Sequence, residues 1–413
     1  MSRHRDRVCA AVLAALAAML VALSCAPAHA EQQAAPPSEA DILYDKALQS
    51  IAEGRKNDAN ATLQRVIDMA PSHAGAWLEL ALLQCSLGNQ DEAERLFNVI
   101  ELRFDPPPGI VQLIANTRSA GCVGALPLSQ YSITVSRGID QNVNQGSTRD
   151  LGVADLGLSP EFRPQHDQYT MLSGEYLRDI GPNGAIGFVQ FQGRHNDTLT
   201  KYDSGALFAG AETPWRFGDW SVRGSALAGF VTLGGQFYQR QYQLQARVGP
   251  PMPLPYSLQF HVLGGLTHAS YVTLQNFDST TGELRGMLSR RSGTTSINAS
   301  LGVQEDKAAS ARPGGDRRGW SSSLQWRHRY GSGITADLGY TMQAWKSSLP
   351  YAPGVIAQVR DQTTHVFRTT FIYPVTRSQN VVLEARQVIN KENIPIFQYN
   401  NRQLQLSWQW QGP

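Results

Sequence analysis

The chain has 413 residues, 42 % of them hydrophobic and 17 % charged, with a formal net charge of +2. That length sets a bound of roughly two or three domains with a substantial core. A near-neutral balance excludes a dedicated nucleic-acid binder, which carries a basic excess, and ordinary Gly and Pro contents exclude collagen-like and low-complexity chains. The charged fraction is low against the roughly 25 % usual for soluble proteins, so part of this surface is expected to face something other than water.

Arg3, Arg5 and Arg7 precede an apolar run from Val8 to Ser24, and Ala28-His29-Ala30 gives a small-x-small cleavage pattern. Residues 1–30 therefore read as a cleaved export signal, with a retained membrane anchor as the alternative. Leu23, two residues before Cys25, argues against lipid attachment at that cysteine. Loss of the signal leaves Cys85 and Cys122, which in an oxidising compartment either pair or stay as buried thiols. No later stretch is apolar for long enough to make a transmembrane helix.

Residues 38–122 carry a helical period and a self-repeat. Gly54 recurs as Gly88, Ala59 as Ala93, Leu63 as Phe97 and Val66 as Ile100, each 34 residues on. That spacing resembles the tetratricopeptide repeat. Trp77, Leu80, Ala81, Gly88, Ala93 and Phe97 fall on its positions in the second copy, and Pro71 closes the first. Small residues at 59, 81 and 93 let helices approach, while Gly54 and Gly88 end the first helix of each pair. Ile110 to Arg118 reads as a capping helix. Such pairs serve as docking grooves for protein or peptide, or as plain spacers.

From about residue 129 to 413 the period becomes two. Leu404, Leu406, Trp408 and Trp410 alternate with Gln403, Gln405, Ser407 and Gln409, and Tyr242 to Val248 alternate with Gln243, Gln245 and Arg247. One apolar and one Gln/Arg-rich face, with no helices left to cover the apolar one, predicts an outer-membrane β-barrel rather than a soluble sandwich. Fourteen strands can be counted, the weakest being Glu283–Arg290; twelve or sixteen stay open. Short turns alternate with long segments at Val143–Asp167, Val272–Gly282, Asp306–Gly319, Trp345–His365 and Ile389–Asn400. The fold class expected is thus mainly β, a barrel of about fourteen strands behind a small periplasmic all-α domain.

The first strand ends Gly138-Ile139-Asp140-Gln141-Asn142-Val143-Asn144. This Gly-x-Asp-x-Asn-x-Asn ending resembles the opening barrel strand of the surface lipoprotein assembly modifiers, Gram-negative outer-membrane proteins with N-terminal tetratricopeptide repeats and a fourteen-stranded barrel. Gln141 departs from the small hydroxyl residue that pattern leads one to expect, and the repeat array is short. The resemblance implies display of a partner lipoprotein at the cell surface, with the repeats engaging the client or a periplasmic chaperone. Asp140, Asn142 and Asn144 share one strand parity. They form either a polar ladder in contact with substrate or a hydrogen-bonding cluster where the strand meets its loop.

Enzyme signatures are missing: no His-Glu-x-x-His, Cys-x-x-Cys, Gly-x-Ser-x-Gly or phosphate loop occurs, so no metal, cofactor or catalytic activity is expected. His195 with Asp197 is the one acid–base pair near a rim, and a solvated loop is the better reading. Arg247, Arg327, Arg329, Arg368 and Arg386 share the inward strand phase, with Glu384 as a partner for some of them. An Arg-lined lumen either passes anions or closes itself with ion pairs. Polysaccharide therefore remains an alternative cargo, as in an exopolysaccharide export porin, and a non-specific porin or structural surface protein is a third reading.

Overall fold

The computed structural model describes residues 38–119, 122, 129–149, 159–180, 185–218, 220–252, 254–376 and 378–412. The expected export signal, the Gly181–Gly184 turn and part of the first long loop lie outside them.

Five helices come first: α1 (Glu39–Ala52), α2 (Lys56–Met69), α3 (Ala74–Ser86), α4 (Gln90–Phe104) and α5 (Pro108–Ser119). A capping box starts α1: the Ser38 hydroxyl accepts from the Asp41 amide, and the Asp41 carboxylate accepts from the Ser38 amide. Gly54 and Gly88 take left-handed φ values of 73° and 81° at the two inter-helix turns, where a side chain would be strained. Ala59, Ala81 and Ala93 are fully buried, so the helix pairs close on methyl groups beside Leu63, Leu80, Phe97 and Ile114. The Trp77 indole donates to the Pro71 carbonyl at 3.1 Å, tying α3 to the turn before it. Cys85 in α3 and Cys122 beyond α5 are joined by a disulfide, Cα to Cα 5.1 Å.

Fourteen antiparallel strands follow: β1 (Ser129–Asp140), β2 (Asp167–Asp179), β3 (Ile186–Asn196), β4 (Ser204–Phe217), β5 (Trp220–Leu233), β6 (Gln236–Gly249), β7 (Leu258–Tyr271), β8 (Ser279–Ser292), β9 (Thr295–Ala308), β10 (Arg317–Arg329), β11 (Thr335–Ala352), β12 (Ile356–Pro374), β13 (Gln379–Glu392) and β14 (Tyr399–Gly412). Each pairs with its chain neighbours, and β1 pairs with β14 from Tyr131 opposite Gly412 to Asp140 opposite Gln403, so the sheet closes. Closure removes every unpaired edge, which the hydrocarbon region requires. The outer face exposes Val135, Leu172, Leu244, Leu266, Leu301, Leu338 and Leu406. Among the described residues no layer packs over this apolar face, which has the character of a lipid-facing surface.

The expected strand at Glu283–Arg290 is present and runs longer, Ser279–Ser292. The long segments need correction. Four of the long segments are short, because the ladders run on: only residues 272–278, 309–316, 353–355 and 393–398 lie between strands there. β11 and β12 continue to Ala352 opposite Ile356, past a bulge near Pro350. Beyond the apolar band a strand needs no alternation, so its backbone pairing leaves no periodic signal.

Candidate functional site: the lumen and its helix-covered mouth

Register decides which residues line the interior. Arg386 lies opposite Gln403 and Arg368, Arg368 opposite Gly339, and Gly339 opposite Gln325. This inward row alternates with the outward leucines. Arg247, Arg327 and Arg329 share the phase. Arg327 is spent on Asp337, donating to one carboxylate oxygen from Nε at 3.0 Å and from a terminal nitrogen at 2.7 Å, with Gln325 donating beside it. Arg247, Arg329, Arg368 and Arg386 form no ion pair among the described residues. The expected pairing with Glu384 is not made: among the described residues that carboxylate accepts a single 3.4 Å bond, from Thr370. Strands β6 and β13 are seven positions apart in a ring of fourteen, so Arg247 and Arg386 lie on opposite walls.

The helices meet the barrel at the end where β1 starts and β14 stops. Odd-numbered strands all begin there, and Arg223 lies near the start of β5. One terminal nitrogen of Arg223 pairs with Glu212, while the other donates to the backbone carbonyl of Glu53 at 3.3 Å, in the turn between α1 and α2. Under this contact is a cavity of about 620 Å³ bordered by Glu53, Arg223, Arg247, His261 and Arg285. Arg223 and Arg247 are direct cross-strand partners, and Leu263 separates Arg247 from Arg285 on the same row. The sequence reading missed Arg223 and Arg285; their inward phase was legible, but their place beneath the helices was not.

Gly138, Asp140, Asn142 and Asn144 come together as a fastening at the opposite end. Asp140, 2 % exposed, accepts from Arg194 and Gln403, both at 2.8 Å, and from the Asn142 amide. Asn142 donates to the Gly146 and Asn400 carbonyls and accepts from the Gly146 amide. Asn144 donates to the carbonyls of Glu161 and Arg163 and accepts from the Gln165 amide. These bonds tie the end of β1 to β3, β14 and the following loop, so the cluster fixes the turn out of β1. Farther on, Ser147 and Thr148 bond to the Pro395 and Gln398 carbonyls, carrying the chain over the junction with β14.

His195 and Asp197 are not a pair. His195 Nδ1 lies 2.6 Å from Asp203, whereas Asp197 takes both terminal nitrogens of Arg137. β3 ends at Asn196, so the i, i+2 rule that places both side chains on one face stops applying at Asp197. Among the described residues, no group of three or more His, Cys, Asp or Glu side chains is arranged to hold a metal.

Residues 50–116 match the tetratricopeptide repeat family. No curated protein sequence matches the chain. Among solved structures the barrel is similar to an anion-selective porin from Comamonas acidovorans, at 9 % identity and TM-score 0.39, over 69 % of this chain and 99 % of that one. It is also similar to OccAB3 of Acinetobacter baumannii (8 %, TM-score 0.38, 69 % and 99 %) and a BenF-like porin of Pseudomonas fluorescens Pf-5 (8 %, TM-score 0.37, 70 % and 100 %). The molecule is a helical unit that matches the tetratricopeptide-repeat model over residues 50–116, followed by a closed barrel of fourteen antiparallel strands.

Proposed function

We propose that this chain lies in the outer membrane with its repeats in the periplasm and delivers a partner lipoprotein to the cell surface. The observation that carries this reading is the contact between Arg223 and the Glu53 carbonyl. It holds a protein-docking module over the mouth of the barrel, so a client bound by the repeats arrives at the lumen. A plain diffusion pore needs no such module, and the resemblance of the first-strand motif supports the lipoprotein as client. That motif fastens β1 to its neighbours. No catalytic role is proposed.

The test is a protease-shaving surface proteome of a deletion strain against its complemented parent. Disappearance of one lipoprotein from the surface, at unchanged cellular level, is the expected result and names the client. An unchanged surface proteome would overturn the reading. The second reading, export of an anionic polysaccharide, is favoured by lumen arginines 247, 329, 368 and 386, which form no ion pair among the described residues; secreted glycan lost in the same deletion strain would decide for it.

A further inference from the structure

The cavity under the α1–α2 turn holds more hydrogen-bonding capacity than the protein uses. Arg223 is occupied by Glu212 and the Glu53 carbonyl. Arg285 is occupied by Glu283, with Ser300 and Ser321 accepting from its terminal nitrogens. Arg247 makes no side-chain hydrogen bond or ion pair among the described residues. The same is true of Gln259, Ser289 and Asn298, which border the same cavity. These three are direct cross-strand partners on β7, β8 and β9, so they form one inward row.

We propose that this cavity binds a hydroxylated monocarboxylate. Arg247 presents a planar fork to the carboxylate, and the Gln259–Ser289–Asn298 row offers both donors and acceptors to the hydroxyls. The charge count selects a single negative charge. A dianion would need a second free cation, and the other two guanidinium groups already face carboxylates. A neutral polyol would leave Arg247 without a counter-charge in a confined space. The site goes beyond the function proposed above and does not depend on it.

Sodium gluconate is the probe, titrated into the full-length protein folded in detergent micelles and followed by saturation-transfer NMR. Saturable binding is expected, weakened about tenfold in Arg247→Gln, the loss of one charge-assisted hydrogen bond. Arg247→Lys keeps the charge without the fork and falls between. Arg240→Gln, in the outward phase of the same strand, leaves binding unchanged. Each variant must retain the heat-dependent gel migration of a closed barrel. Non-saturable binding, binding indifferent to Arg247→Gln, or equal displacement by glucose would overturn the site. Inorganic phosphate displacing gluconate at lower concentration than gluconate itself would overturn the monocarboxylate assignment.

Discussion

Tyr169 on β2 reaches over Gly138 on β1 and donates its hydroxyl to Gln405 on β14 at 2.9 Å. Three strands are thereby tied by one side chain at the place where the barrel closes. The absence of a side chain at 138 is what lets the ring lie there: a Cβ on Gly138 would stand 2.5 Å from the Tyr169 ring. The Arg194 guanidinium covers the ring at 3.9 Å, a cation–π contact.

Gly138→Val is therefore expected to displace Tyr169 and lower the unfolding midpoint of the barrel in detergent. Tyr169→Phe keeps the ring and loses only the hydroxyl, costing about 1 kcal/mol. Denaturant titration followed by gel migration reads both. Equal stability of Gly138→Val and wild type would refute the tie.

Asp140→Ala leaves Arg194 and Gln403 facing an empty acceptor position. Loss of one partner from a buried ion pair costs about 3–5 kcal/mol, and the same titration measures it. Asp140→Asn, which keeps an acceptor, is expected to lose clearly less.

The Cys85–Cys122 bond closes a loop of sequence separation 37. In the chain-entropy model that contributes about 4 kcal/mol. Reductant should lower the melting temperature of the helical unit in wild type, while a Cys85→Ser/Cys122→Ser double variant should start low and ignore reductant. A reductant effect that survives the double substitution would assign it elsewhere.

Two carboxyl groups in the helical unit respond to pH with opposite signs. Hydrogen bonds from the Ser38 side chain and amide hold the Asp41 carboxyl below its ordinary value. Its contribution to stability is present above the unfolded-state pKa of about 3.9 and is lost as pH falls through the folded value. Burial pushes the Glu79 carboxyl up, so its contribution is full below the unfolded pKa and is lost as pH rises through the folded one. NMR titration should show Asp41 moving up in Ser38→Ala, and Glu79→Gln should melt higher than wild type at neutral pH.

The barrel was legible because lipid outside and water inside impose alternation on each strand, as at Leu404 to Gln409. The repeats were legible because Gly54 and Gly88 mark turns that need a left-handed residue. Long-range partners were not. Asp140 meets Arg194 and Gln403 only after the ring has closed, and no local pattern announces them. A glycine at an inward position such as 138 was the one available hint of close approach. The Asp203 partner of His195 was hidden by the short 3-10 turn at Thr200–Tyr202, which folds the chain back.

Arg223 holds the helical unit through a main-chain oxygen of Glu53. Any amino acid at position 53 supplies that acceptor, so the tether survives drift at its own contact point. The contact depends instead on the bend that presents the carbonyl, and thus on Gly54 with its left-handed φ. Two relatives could share this joint while showing nothing in common at the residue that makes it.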